Sequence, residues 1–398
     1  MTNIQQAYVV SAIRTPIGKS GRGSLSKLRP DDLLAQTLKQ LVAMNPTLDP
    51  NAIEDVIVGC AMPEGPQGLN VARIGALLAG LPQSVGGVTI NRFCSSGLNA
   101  IAMAADRIRV GEADVMIAAG TESMSMVPMT GNSPSFSPDI FTRDENIGIA
   151  YGMGLTAEKV AQQWKVSRED QDQFALLSHQ KALLAQANGD FNDEMMTLQL
   201  AHRTMNLESG QVDISMRECR KDDGPRVDTS LEGLAKLKPV FAMKGSVTAG
   251  NSSQTSDGAG ALLIVSERAL KMFNLKPLAR FVSFAVKGVP PEIMGIGPKE
   301  AIPLALKFAG LDLKDLGWIE LNEAFAAQSL AVIRDLQLNP ELINPLGGAI
   351  ALGHPLGATG AIRSATAIHG MHRKNLKYAM VTMCVGTGMG AAGIFERC

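Results

Sequence analysis

Residues 114–121 read DVMIAAGT, and residues 378–386 read YAMVTMCVG. Each is an apolar run of strand length, and a helical pattern precedes each of them. A second pair of segments matches with the same spacing, because residues 48–58 and residues 311–321 both run from a Leu-Asp pair to an apolar strand. Any two α/β segments look broadly alike, but two matched pairs in the same order favour an internal duplication.

The rest of the chain is consistent with two similar halves. Strand-like and helical segments alternate along it, which is typical of an α/β layer fold. We predict a first half at residues 1–120, completed by residues 250–270, and a second half at residues 271–398. An inserted loop domain at residues 121–249 lies between them.

The inserted region differs in composition from both halves. It begins with a stretch rich in Met, Ser and Pro at residues 123–138. Residues 156–188 have helical character, and Ser167 followed by Glu169 and Asp170 predicts a helix N-terminus there. Residues 203–238 are charged, and we expect them to be irregular.

Composition excludes several classes of protein. The 398-residue chain has a formal net charge of −1, which argues against nucleic-acid binding driven by bulk basicity. No run of about 18 apolar residues predicts a membrane span. The chain has 40 glycines and only 4% aromatic residues, which favours close backbone packing over an aromatic-rich β-sandwich.

The cysteines and histidines are scattered. The five cysteines form no Cys-x-x-Cys pair, and the five histidines do not cluster with them. This spacing argues against a disulfide framework and against a structural metal site. Neither end of the sequence has the pattern of a targeting peptide, so we expect a reduced, cytoplasmic setting.

Cys94 is the strongest candidate nucleophile. It follows the predicted strand at residues 88–91 and begins a predicted helix, with two serines and a glycine after it. A helix N-terminus offers unpaired N–H groups and partial positive charge, both of which favour a thiolate. The alternative is a buried, unreactive cysteine, which is the commoner fate of this residue.

The second half supplies candidate partners. His354 lies in a nearly apolar, glycine-rich run, where it is either a core histidine or a residue that a ligand approaches closely. It precedes a helix and a strand just as Cys94 does, so a pseudo-twofold axis would bring the two face to face. Cys384 ends what we predict to be the last strand, and Asn322 follows another strand at a similar edge, where it could also simply cap a helix.

Four motifs in this order resemble those of the thiolase family. They are NRFCSSG at residues 91–97, NEAF at 322–325, GAIALGHP at 348–355 and CVGTGMG at 384–390. The resemblance covers essentially the whole chain and implies two duplicated α/β halves layered α-β-α-β-α. Within the family, DDGPR at 222–226 and LAKLKP at 234–239 resemble the 3-ketoacyl-CoA thiolases of fatty-acid β-oxidation.

The resemblance also implies a role for each matching residue. Cys94 would form an acyl-enzyme, His354 would take its proton, and Cys384 would protonate the enolate that leaves. Asn322 would hold a water that, with His354, stabilises the enolate. The backbone N–H groups of Cys94 and Gly386 would stabilise the tetrahedral adduct.

Coenzyme A contacts are implied for three residues of the inserted region and its C-terminal border. Arg226 would lie near the nucleotide, while Ala249 and Ser253 would contact the pantetheine arm. The alternative for Arg226 is a surface ion pair with Asp222 or Asp223. The chain departs from the family at one position, because Gly152 stands where acetoacetyl-CoA thiolases usually carry His, and this favours longer 3-ketoacyl chains.

The resemblance further implies CoA thioesters as substrates, no permanently bound cofactor and no metal. A homodimer or homotetramer and a multienzyme β-oxidation partner are implied as partners. Alternative functions are an acetoacetyl-CoA thiolase running the Claisen condensation and a catalytically silent thiolase-like binding subunit. A ketosynthase of the same broad fold is disfavoured by Cys384.

Overall fold

The computed structural model describes residues 4–206 and 208–398. Its strands are β1 (Tyr8–Arg14), β2 (Gly18–Lys19), β3 (Asp55–Gly59), β4 (Val88–Ile90), β5 (Val115–Ser123), β6 (Leu198–Met205), β7 (Val212–Cys219), β8 (Ser256–Val265), β9 (Ala279–Gly288), β10 (Leu316–Leu321), β11 (Tyr378–Val385) and β12 (Met389–Arg397). Its α-helices are α1 (Pro30–Ala43), α2 (Val71–Leu78), α3 (Ser96–Arg109), α4 (Met153–Gln163), α5 (Arg168–Asn188), α6 (Leu231–Ala235), α7 (Glu267–Met272), α8 (Gly297–Ala309), α9 (Ala326–Leu336), α10 (Ala349–Leu352) and α11 (Thr359–Arg373).

One strand pattern occurs twice. The order β1-β8-β5-β3 in the first part of the sheet repeats as β9-β12-β11-β10 in the second. The directions repeat as well, since β5 is parallel to β3 and β11 is parallel to β10, while β8 and β12 are antiparallel to both of their neighbours. The predicted α/β fold is confirmed. The domain boundaries given above stay a prediction.

The two groups of strands are joined at their edges. β1 pairs with β9 through Tyr8↔Arg280 and Val9↔Ala279, so that the structure contains one ten-stranded sheet in place of two separate ones. The sequence did not indicate this pairing. β2, only two residues long, pairs with β8 outside the main strand order.

Apolar side chains form layers on the strands. The largest buried cluster surrounds α3 and α11, which lie between the two groups of strands. A second cluster lies under α1 and α2, and a third lies under α8 and α9. This arrangement gives the five layers α-β-α-β-α that the motifs implied.

The central helices approach each other at glycines. A Cβ atom on Gly97 would lie 2.7 Å from the backbone nitrogen of Ala361, and one on Gly360 would collide with the backbone of Leu98. Gly120, in β5, would meet the carbonyl oxygen of Gly357 at 2.5 Å. The backbones therefore touch where the two groups of strands meet, as the high glycine content predicted.

The inserted region is more regular than predicted. The Ser167 side chain accepts from the backbone N–H of Asp170 and begins α5, as expected. Part of residues 203–238 is not irregular, however, because β6 and β7 form an antiparallel hairpin that reaches Cys219. Apolar residues alternate with polar ones in β7, and this pattern was missed. No helix in the described part of the chain is long and apolar enough to cross a membrane.

Candidate active site

Cys94 lies on the 3₁₀ turn Phe93–Ser95, directly before α3. Its side chain is buried, with 6% of its surface exposed. The backbone N–H groups of Gly386 and of Cys94 itself lie close enough to the thiol to lower its pKa. These are the two N–H groups that the motifs implied for an oxyanion site.

The thiol of Cys94 is protonated at rest. Burial outweighs the N–H groups and raises the pKa of Cys94 to about 12, with a smaller contribution from the charge of Glu122. The backbone N–H groups do act in the predicted direction, towards the thiolate, but burial has the larger effect on the pKa. A base has to remove the proton before the sulfur can attack.

His354 is a neutral imidazole. Burial, and then the positive charge of Arg363, lowers the pKa of His354 to about 3. Its Nδ1 lies 2.6 Å from the hydroxyl of Thr359, which donates its own hydrogen to the carbonyl of Pro355 at 3.0 Å. This pairing assigns the ring proton to Nδ1 and the lone pair to Nε2, the atom that faces the side-chain amide of Asn322.

Asn322 lies beside this lone pair. Its Nδ2 is 3.3 Å from Nε2 of His354, so the two residues that the motifs implied for enolate stabilisation are in contact. Oδ1 of Asn322 is buried and has no hydrogen-bond partner in the described part of the chain. A buried polar atom of this kind is a suitable acceptor for a bound water.

Cys384 is part of β11 and lies close to Cys94. It is fully buried, and burial followed by the nearby Cys94 thiol raises the pKa of Cys384 well above its usual range. The prediction that Cys384 ends the last strand is wrong. β12 begins at Met389, after β11, and pairs antiparallel with it. The glycine-rich residues after Cys384 form the turn between these two strands.

Glu122 and Thr359, which the motifs did not identify, position the backbone and the imidazole of the site. The carboxylate of Glu122, at the end of β5, accepts from the backbone N–H of Ala61 at 2.7 Å and of Gly357 at 2.8 Å. It therefore fixes the turn that follows His354, and this turn packs against the turn of Cys94. Glu122 could have been recognised from the sequence, because it is a charged residue in an otherwise apolar strand. Thr359 has no such feature in the sequence.

A cavity of about 600 Å³ is lined by Arg226, Ala249 and Ser253, whereas its lining includes none of the predicted catalytic residues, Cys94, His354, Cys384, Asn322 and Gly386. Ser252 and Thr255, also in its wall, make backbone bridges to Phe325 and to His354. The cavity thus reaches the elements that carry the candidate catalytic residues.

The alternative for Arg226 is right that it forms a surface ion pair, but the partners it named are wrong. Arg226 pairs with Asp228 at 2.9 Å and with neither Asp222 nor Asp223. Asp222 instead receives a buried ion pair from Arg14 at 2.8 Å. Arg14 is the last residue of β1, so the loop that carries Arg226 is tied to β1.

Gly152 directly precedes α4, and a Cβ atom there would meet no other atom within 4 Å. The next residue, Met153, packs against the apolar cluster that contains Cys384 and Phe325. Gly152 is exposed and does not line the cavity that Arg226, Ala249 and Ser253 share, so its effect on acyl chain length stays a prediction.

Comparisons with known proteins agree over the full length of the chain. The family model "Thiolase, N-terminal domain" matches residues 7–268, and "Thiolase, C-terminal domain" matches residues 275–397. A 3-ketoacyl-CoA thiolase of Bacillus subtilis is 49% identical, covering 99% of this chain and 100% of its own. A 3-oxoadipyl-CoA/3-oxo-5,6-dehydrosuberyl-CoA thiolase of Escherichia coli is 46% identical, covering 99% and 100%. The crystal structure of human mitochondrial 3-ketoacyl-CoA thiolase is 38% identical, covers 100% of both chains and has a TM-score of 0.89.

The full-length similarity to a named 3-ketoacyl-CoA thiolase makes this chain an acyltransferase. The four motifs and both halves of the structure point to one group within that class. The chain belongs to the thiolase family.

Proposed function

We propose that this enzyme cleaves 3-ketoacyl-CoA with coenzyme A, giving acetyl-CoA and a shortened acyl-CoA, in fatty-acid breakdown. The 49% identical relative that carries the name 3-ketoacyl-CoA thiolase supports this proposal. The observation on which it chiefly rests is the cavity, whose wall contacts both His354 and Phe325 while its other residues include Arg226.

The first half-reaction begins with Cys94. Because the thiol is protonated at rest, the neutral Nε2 of His354 takes the proton as the sulfur attacks the 3-keto carbon. The backbone N–H groups of Cys94 and Gly386, both close enough to the sulfur to lower its pKa, donate to the oxygen of the tetrahedral adduct. The acyl group remains on Cys94 as a thioester.

Carbon–carbon cleavage then releases the enolate of acetyl-CoA. Its oxygen is stabilised by His354 and by a water bound at Oδ1 of Asn322, the buried acceptor without a partner. Cys384 gives its proton to the enolate carbon, and its high pKa suits it to hold that proton until a strong base forms. Coenzyme A then takes the acyl group from Cys94 in the second half-reaction.

Peptide mass analysis tests the assignment of the two cysteines. After incubation with an acyl-CoA, we expect the acyl group on Cys94. We expect Cys384→Ser still to be acylated but to stop exchanging the α-protons of acetyl-CoA with solvent. Acyl label only on Cys384, or equal loss of acylation in Cys94→Ser and Cys384→Ser, would show that the roles are wrong.

The alternatives require different substrates or none. An enzyme specialised for the Claisen condensation of two acetyl units would favour acetoacetyl-CoA, and a silent binding subunit would release no acetyl-CoA. The glycine at position 152, where acetoacetyl-CoA thiolases usually carry His, favours longer acyl chains over the acetyl-sized one. Measuring acetyl-CoA release across 3-ketoacyl-CoA chain lengths separates the three possibilities.

The proposal also covers the cellular compartment, the oligomeric state and the ligands of the enzyme. We expect a cytoplasmic homodimer or homotetramer, with CoA thioesters as substrates and no permanently bound cofactor or metal. The scattered cysteines support a reducing compartment. Co-purification with the other β-oxidation enzymes would test whether a multienzyme partner binds.

A further inference from the structure

Two cations at the CoA cavity have no role in the function described so far. Lys19 and Arg22 both line it, together with Arg226. Lys19 is half-buried at the end of β2, and Arg22 is exposed in the turn that follows. Neither side chain makes a salt bridge to another of the described residues, which are 4–206 and 208–398.

The backbone fixes the turn that carries these two cations. β2 pairs with β8 at Gly18↔Asp257 and Lys19↔Ser256, directly beside the segment that bridges to His354. The carboxylate of Asp223 accepts from the backbone N–H of Lys19 at 3.1 Å and of Ser24 at 2.7 Å. The turn is therefore tied to the loop of Arg226, and the two together form one side of the cavity.

The charge of this wall is unbalanced. Its three basic side chains, Lys19, Arg22 and Arg226, face a single acidic one, Asp228, which already pairs with Arg226. His179, also in the lining, adds no compensation, because burial and the charges of Arg226 and Lys19 lower its pKa to about 4. Positive charge without an internal partner beside an open cavity is suited to an anionic ligand.

We propose that Lys19 and Arg22 bind the phosphates of the nucleotide half of coenzyme A, on the side of the cavity that also carries Arg226. This inference rests on the proposed function, in which coenzyme A and its thioesters occupy the cavity. Coenzyme A carries a pyrophosphate and a 3′-phosphate, and both are multiply charged acceptors for lysine and arginine donors. The recognition is therefore electrostatic and weakens as salt is added.

Equilibrium binding tests the proposal without depending on turnover. Calorimetric titration with desulfo-CoA, which cannot react, would compare the wild type with Lys19→Ala, Arg22→Ala and the double variant. Lys27→Ala is the matched control, because Lys27 is an exposed cation nearby that does not line the cavity. Pantetheine, which has no phosphate, is the control ligand.

We expect each variant to raise the Kd for desulfo-CoA by roughly 3- to 10-fold, with a shallower salt dependence and an unchanged Kd for pantetheine. Lys19→Arg keeps the positive charge, so its Kd for desulfo-CoA should be close to that of the wild type. If the variants and the wild type bind the 3′-dephospho analogue equally well, the two cations contact the 3′-phosphate. If the variants still bind this analogue more weakly than the wild type, the cations contact the pyrophosphate. An unchanged Kd, a loss equal to that of Lys27→Ala, or an equal loss for pantetheine would overturn the proposal. Failure of the wild type to thiolyse 3-ketoacyl-CoA would instead contradict the proposed function.

Discussion

Thr359→Val tests how the imidazole is held. Thr359 is buried and accepts from Nδ1 of His354 at 2.6 Å. Valine keeps the shape of the side chain but removes the oxygen, so that the ring loses the partner that fixes its tautomer. The hydrogen bond becomes more important as the ring gains a proton, because a charged donor bonds more strongly than a neutral one.

The size of the effect follows from burial. Leaving a buried N–H without a partner costs about 1–3 kcal/mol. If this cost is felt in the transition state, kcat/KM falls roughly 5- to 150-fold, since about 1.4 kcal/mol corresponds to a factor of ten. We expect the loss to appear mainly in kcat, because Thr359 is not part of the cavity lining.

Thr37→Val is the matched control. Thr37 is equally buried and also donates to the carbonyl four residues before it, that of Leu33 at 2.8 Å, in a helix remote from the site. The assay is thiolysis of a medium-chain 3-ketoacyl-CoA, followed by acetyl-CoA formation. Thr359→Ser should recover most of the activity. If Thr359→Val loses no more activity than Thr37→Val, Thr359 does not orient His354.

Three further outcomes are expected. Alkylation of Cys94 by iodoacetamide in the Cys384→Ser background should keep rising about tenfold per pH unit from pH 7 to 10, because the raised pKa keeps the thiol protonated; a plateau below pH 8 would contradict a protonated resting state. His354 has a pKa near 3 when folded and an ordinary one when unfolded, so its contribution to stability is present above about pH 6.5 and is lost as the pH falls. Urea unfolding should show about 2 kcal/mol of this loss between pH 6.5 and 5, and the slope should be shallower in His354→Asn; identical slopes would count against it. The wild type should prefer six- to ten-carbon substrates to acetoacetyl-CoA by about 1–3 kcal/mol in kcat/KM, and Gly152→His should reduce that preference; a wild-type preference for acetoacetyl-CoA would remove the chain-length argument.

Much of the fold could be predicted from local patterns. Apolar periodicity and matched spacings indicated α1, α3, β5 and β11, because each of these elements buries a regular face. The pairing of β1 with β9 could not be predicted, since it depends on how the two groups of strands approach in space. The hairpin of β6 and β7 was missed because charge along the segment obscured the alternation of Val212, Ile214 and Met216.

The candidate site was only partly visible in the sequence. Motifs pointed to Cys94, His354, Asn322 and Cys384, because nucleophiles and acid–base groups belong to few residue types. The structure adds what motifs cannot carry, namely the partners of each group. Thr359 is an ordinary helix residue in sequence, and the high pKa of Cys94 results from burial that no local pattern records.

The glycines between α3 and α11 have a consequence for how the enzyme tolerates mutation. Gly97 and Gly360 lie on helices whose first turns follow Cys94 and His354, and neither glycine has room for a Cβ atom. A larger residue at either position has to push the helices apart, and the thiol and the imidazole would move with them. In a saturation scan scored for activity, these two positions should be as intolerant as Cys94 itself, although neither lines the cavity. The map of functional sensitivity would then extend along the helix contact, well beyond the walls of the cavity.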